Sequence, residues 1–136
     1  MGKRSTGRKL AMQVLYQVDI RQNDIQAILD EYIRQSNSGA ETRVWAEELA
    51  INTWENINAI DEFITKYAID WDINRLNLVD KSVLRIALYE LIYTDTPYTI
   101  ILNEAIQLVK EFSSEESSII SNSKAELFFN KFIPSW

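Results

Sequence analysis

The stretch from Val79 to Tyr93 constrains the fold of this chain more than any other segment. Read as a helix, it carries apolar residues around most of its circumference, and only a few charged residues such as Arg85 and Glu90 interrupt them. Such a helix is expected to lie in the middle of a fold, enclosed by other elements. Arg85 and Glu90 are therefore expected to form buried or half-buried ion pairs with neighbours. The apolar positions are Val79, Val83, Leu84, Ile86, Ala87, Leu88, Leu91 and Ile92.

Helical spacing also dominates the remainder of the chain. The apolar residues near the N-terminus recur three, four and seven positions apart, which is typical of one face of a helix. Only three Gly and two Pro occur in 136 residues, whereas turn-rich all-β folds usually need more of both. An all-α fold of about six or seven helices is therefore predicted. The first stripe consists of Ala11, Val14, Leu15 and Val18.

Polar residues and prolines predict where several helices begin and end. Asp24 can cap a second helix, and Ser38 with Glu41 has the spacing of a capping box for a third. The asparagines between residues 52 and 58 favour a break between two helices there. Pro97 ends the apolar central helix, and a new helix follows it. Another capping-box spacing predicts a final helix over residues 113–132.

The composition excludes several kinds of chemistry. Cysteine and histidine are absent, so disulfides, Cys/His zinc sites and thiol or imidazole catalysis are excluded. The paired carboxylates come without a base or a phosphate-binding loop, and they are interpreted as solvated helix ends. We therefore expect a protein that is not an enzyme and needs no cofactor. No apolar run is long enough to cross a membrane, and the cytoplasm is the expected location.

Positive charge is concentrated at the N-terminus of a chain whose net charge is −6. Lys3, Arg4, Arg8 and Lys9 all precede the first acidic residue, Asp19. Such a basic tip on an acidic body can still bind phosphates locally. The alternative is a solvated terminus whose charges serve only solubility.

Three segments of the chain together resemble the NusB family. Residues 8–19 contain the Ala-x-Gln-x-Leu-Tyr core of the family's first helix. Residues 78–91 are similar to the family's central signature almost residue for residue. Residues 95–112 resemble its proline-containing turn, which is followed by Asn-Glu-Ala and then Lys-x-Phe. The order and spacing of the segments fit as well, so the resemblance covers nearly the whole chain.

The resemblance implies both a fold and a function. The fold is a NusB-like helical bundle of about seven helices in two packed groups, forming a single domain over residues 1–136. The N-terminal group would cover about residues 1–68 and the C-terminal group about residues 69–136. The implied function is transcription antitermination, through boxA-like single-stranded RNA bound together with NusE, a small-subunit ribosomal protein. The implied assembly includes RNA polymerase and supports ribosomal RNA transcription, and a homodimer is a further state that the family allows.

The resemblance also implies roles for individual residues. The four cations Lys3, Arg4, Arg8 and Lys9 would bind RNA. Tyr16 and Asp80 would contact NusE, whereas the residues alone also allow Tyr16 simply to pack and Asp80 to cap a helix. The family's first helix often carries a denser arginine run than this chain does. An alternative function is therefore a protein-binding helical module with little or no RNA binding.

Overall fold

The part of the chain that the structure describes consists of helices and their connecting segments, with no β-strand. The computed structural model describes residues 2–67, 74 and 76–112. The predicted all-α fold is confirmed, and the final helix expected over residues 113–132 lies outside the described residues. The helices are α1 (Lys3–Arg21), α2 (Ile25–Leu29), α3 (Ala40–Glu55), α4 (Ile57–Tyr67), α5 (Leu78–Tyr93) and α6 (Tyr98–Phe112), and a π-helical turn (Asp30–Arg34) continues α2.

The helices group into two compact units, the first ending at Glu55 and the second beginning at Asn56. The predicted N-terminal group covers about residues 1–68 and so includes α4. In the structure α4 belongs with α5, because the Asp61 carboxylate of α4 accepts two hydrogen bonds from the Arg85 guanidinium of α5. That the two units form a single domain stays a prediction.

The first unit is built on the packing of α1 against α3. The apolar stripe predicted for α1 is buried, with Ala11 and Val14 fully covered. A left-handed residue, Gln22, ends α1, and its amide donates to the Val18 carbonyl. The predicted cap of α2 is confirmed, because the Asp24 side chain accepts a hydrogen bond of 3.2 Å from the Gln26 amide.

The third predicted helix begins within two residues of the expected position. It starts at Ala40 and not at Ser38, and the Arg43 amide donates to the Gly39 carbonyl at 3.0 Å. Glu41, expected to complete a capping box, instead accepts a hydrogen bond from Lys3 of α1. The Glu41 side chain, which the local pattern predicts to cap α3, therefore joins α3 to α1 instead.

The second unit contains the enclosed helix that the sequence predicted. Along α5, the residues from Ser82 to Leu88 are all buried. The prediction that Arg85 forms a half-buried ion pair is confirmed, since its guanidinium bonds Asp61 at 2.9 and 2.7 Å. Glu90 is also buried, and its carboxylate accepts a hydrogen bond of 3.4 Å from the Thr96 hydroxyl.

The turn at Pro97 is confirmed as the boundary between α5 and α6. Pro97 lies just before α6, and its carbonyl accepts hydrogen bonds from the amides of Ile100 and Ile101. Helix α6 packs against α5 through a buried stripe. That stripe consists of Ile101, Leu102, Ala105, Leu108 and Val109.

Candidate nucleic-acid interface

The N-terminal cations belong to a helix. Helix α1 begins at Lys3, so Lys3, Arg4, Arg8 and Lys9 all lie in its first two turns. Residues four positions apart on a helix share a face, which places Arg4 and Arg8 on the same side of α1. The helical backbone therefore fixes the positions of the four cations relative to one another. A solvated, unstructured tail would leave those positions variable.

Arg4 and Arg8 both lie against the ring of Trp45, which comes from α3. The guanidinium carbons lie 5.4 Å and 5.2 Å from the centre of that ring, within the range of cation–π attraction. The two arginines differ in exposure, since Arg4 is exposed whereas only 3% of Arg8 is accessible to solvent. Arg8 is thus a packed residue as well as a cation.

Gly7 makes this arrangement possible. A Cβ atom at this position would lie 2.5 Å from Cε3 of Trp45, closer than two non-bonded carbon atoms approach. Glycine in the middle of a helix costs about 0.5–1 kcal/mol relative to alanine. Gly7 lies between Arg4 and Arg8 in the sequence. Because it has no side chain, the indole ring can lie directly against the backbone of α1.

Lys3 forms an ion pair with Glu41 of α3, the helix that also carries Trp45. Its ammonium lies 2.8 Å from the Glu41 carboxylate, and both side chains are largely exposed, at 70% and 78%. The hydrogen bond and the charge of Glu41 raise the pKa of Lys3. The same contact lowers the pKa of Glu41, and the nearby charge of Arg4 lowers it further. A surface pair of this kind is weak and can be displaced by a competing anion.

The four predicted RNA-binding residues therefore differ in their exposure to solvent. Lys3 and Arg4 are exposed, Lys9 is half-buried and Arg8 is buried against Trp45. The exposed cations can reach phosphate oxygens directly, whereas Arg8 is positioned to anchor the helix that carries them. Which of the four bind RNA stays a prediction.

The two residues predicted to meet NusE lie in different units. Tyr16 is half-buried on α1 in the first unit. Asp80 is the third residue of α5 in the second unit and is fully buried. The cap of α5 is Asn77, whose side chain accepts a hydrogen bond of 2.7 Å from the Asp80 amide. The cap interpretation of Asp80 is therefore corrected, while a NusE contact at either residue stays a prediction.

Sequence reasoning missed Trp45 and Glu41 as neighbours of the basic residues. The available signal was Gly7, because a glycine inside a helical pattern often has a packing reason. That signal shows that something approaches α1 closely, but it does not say which of the four tryptophans does so.

The described residues contain neither a membrane-spanning helix nor a carboxylate cluster for a metal ion. No helix in this part of the chain has both the length and the apolar character needed to span a membrane. Within the same residues, no group of three or more carboxylates is placed to hold a metal ion.

The sequence comparisons agree with the motifs. The family model described as the NusB family matches residues 5–123. A transcription antitermination protein NusB from Streptomyces avermitilis is 37% identical over 126 residues, a span that covers 90% of this chain and 88% of that protein.

The structural comparisons agree with the fold. T. maritima NusB superposes with a TM-score of 0.80 at 27% identity, over 98% of this chain and 89% of that one. A crystal structure of the antitermination factors NusB and NusE in complex with double-stranded RNA also superposes with a TM-score of 0.80. That match has 23% identity and covers 98% of this chain and 95% of the other, so it bears on the fold alone.

Proposed function

Because the chain belongs to the NusB family, we propose that it is a transcription antitermination factor that binds boxA-type RNA together with NusE. The observation that carries this proposal is the family match, which extends over residues 5–123 and so covers most of both units. A relative 37% identical over 126 residues carries the name of transcription antitermination protein. The partner protein and the RNA enter as properties of the family.

The first turns of α1 support an RNA-binding role. Lys3 and Arg4 are exposed cations at fixed positions on a helix, next to an aromatic ring. Cations that neutralise phosphates release counterions, and arginine can also stack on an unpaired base. Such a small basic surface on an acidic chain provides few phosphate contacts. The protein alone should therefore bind RNA weakly, and NusE should supply the remainder of the affinity.

The partners and the setting follow from the same proposal. The chain would join RNA polymerase, NusE and nascent RNA in one complex, which places it in the bacterial cytoplasm. It would act by binding and not by catalysis. Tyr16 is proposed to anchor NusE, because a half-buried aromatic residue with a hydroxyl is well suited to a protein interface. Asp80 is proposed to support NusE binding from α5. Because Asp80 is buried, it would do so indirectly, by holding the first turn of α5 in place.

Replacing Arg4 with alanine is expected to weaken RNA binding without destabilising the protein. A lost charged contact should cost on the order of 1–2 kcal/mol and reduce the salt slope of binding by about 1. Arg8→Ala should lower both RNA affinity and the melting temperature, because the buried Arg8 side chain packs on Trp45. Titration of labelled boxA-type RNA over a salt series, with NusE present, measures the affinity, and a thermal melt measures stability.

A matched control is Lys110→Ala, which removes one exposed cation from α6 in the other unit. It should leave the affinity and the salt slope close to wild type. If Arg4→Ala and Arg8→Ala also bind RNA with wild-type affinity and slope, the RNA site is not at α1. The protein-binding module without RNA binding would then be the better description of this chain.

A further inference from the structure

We propose that Trp45 is a positioning residue for RNA binding: its ring holds the Arg4 guanidinium on α1 in the orientation in which Arg4 meets the RNA. This inference rests on the proposed function and adds a residue of α3 to the RNA site. Arg4, Gly7 and Arg8 of α1 all lie near the ring, and Gly7 and Arg8 follow Arg4 by three and four positions. That spacing defines one face of the helix, so the ring lies along a continuous strip of α1.

The two arginines on this strip have different roles. Arg8 is 3% exposed with its guanidinium 5.2 Å from the ring centre, so it fastens the ring to α1 from the buried side. Arg4 lies 5.4 Å from the same centre and is exposed, so its hydrogen-bond donors can still reach a phosphate. A guanidinium stacked on a ring keeps the N–H donors in its own plane free to bind oxygen.

Positioning matters here because an arginine side chain is flexible. An unrestrained Arg4 would sample many rotamers, and binding RNA would require most of that freedom to be lost. The cation–π contact with Trp45 reduces the number of rotamers before RNA arrives, which is a gain from preorganisation. The gain does not depend on any contact between Trp45 and the RNA itself.

The surrounding contacts hold Trp45 in register. Glu41, one turn earlier on α3, is bonded to Lys3, one residue before Arg4 on α1. The same turn of α3 therefore contacts α1 at two neighbouring points. The lack of a side chain at Gly7 permits the close approach, and an added Cβ would force the ring to move.

The test compares Trp45→Leu with Trp45→Phe in the full chain with NusE present. The probes are labelled boxA-type RNA and inorganic polyphosphate, an anion without bases. Trp45→Leu is expected to weaken binding of both probes by about three- to tenfold, because the cation–π contact is lost while every charge remains. Trp45→Phe keeps an aromatic ring and should restore most of the affinity. Trp54→Leu changes another half-buried tryptophan of α3 and should leave both affinities unchanged.

A measurement on the wild-type protein covers the case in which Trp45→Leu fails to fold. Because the Arg4 guanidinium carbon lies 5.4 Å from the centre of the indole ring, we expect the ring current to displace the Arg4 Nε–H resonance. We expect that displacement to persist when RNA is added, because Arg4 binds RNA while its guanidinium lies over the ring. Loss of the displacement on RNA binding shows that Arg4 leaves the ring, and the positioning role is then wrong.

The other outcomes separate this inference from the proposed function. Wild-type RNA affinity in a folded Trp45→Leu variant, with binding still sensitive to Arg4→Ala, overturns the positioning role and leaves the proposed function intact. Loss of RNA binding with polyphosphate binding unchanged means that the ring contacts bases directly, which also overturns it. A wild-type protein that binds no RNA even with NusE overturns the proposed function, and this inference with it.

Discussion

Replacing Leu88 with alanine is expected to lower the free energy of unfolding by about 2–5 kcal/mol. Leu88 is fully buried in α5, with the buried residues Ala87 and Ile86 before it. Truncating such a side chain removes apolar burial and leaves a cavity that close-packed neighbours fill only in part. Urea denaturation followed by circular dichroism measures the change.

A matched control for Leu88→Ala is Ile100→Ala in α6. Ile100 is 44% exposed, so its truncation removes a similar number of carbon atoms with much less loss of burial. Its denaturation midpoint should stay near that of the wild type. A wild-type midpoint for Leu88→Ala itself would show that α5 is not the enclosed helix of its unit.

Replacing Asp80 with lysine is expected to destabilise the protein by about 3–5 kcal/mol, an effect as large as the loss of a buried ion-pair partner. Asp80 is fully buried in the first turn of α5, where the helix dipole favours negative charge. Lysine would place a buried positive charge at the same helix end. Loss of NusE binding by Asp80→Lys would therefore report unfolding, and Asp80→Asn, which keeps the shape, is the variant to use for NusE binding.

Tyr16→Ala provides the comparison for a partner contact. Tyr16 is half-buried, so its removal should change stability less than Asp80→Lys does while weakening NusE binding by roughly 1–3 kcal/mol. Calorimetry with NusE and a urea titration separate the two effects. If Asp80→Lys has the urea midpoint of the wild type, Asp80 is accessible in solution and a direct contact with a basic partner becomes the better account.

The parts of the fold that could be predicted from sequence are those fixed by local patterns. The spacing of apolar residues located the buried face of α1 and the enclosed helix α5. Asp24 and Pro97 marked helix boundaries through side-chain hydrogen bonding and the missing amide hydrogen of proline. Arg85 was recognisable as an ion-pair partner because a charge in an apolar helix needs compensation.

The parts that could not be predicted depend on contacts between residues distant in the sequence. Trp45 lies 37 positions after Arg8, and no local spacing connects the two. Arg8 precedes Ala11 and Leu15 of the buried stripe by three and seven positions, so its burial agrees with its place on α1. The contact that no local pattern identifies is the one with the Trp45 ring. Val44 is apolar, yet it is 57% exposed next to Trp45, because the buried face of α3 is formed by other residues such as Ala46 and Leu49. Asp80 was expected to contact NusE or to cap a helix, and its burial depends on the packing around α5.

The central claim is that this chain and NusE bind boxA-type RNA cooperatively. The most direct test is titration of labelled boxA-type RNA with the chain alone and with NusE at saturating concentration, at one moderate salt concentration. We expect weak binding by the chain alone and binding at least about fivefold tighter with NusE, and RNA should raise the NusE affinity by the same factor. Equal RNA affinity with and without NusE would contradict the cooperative assembly.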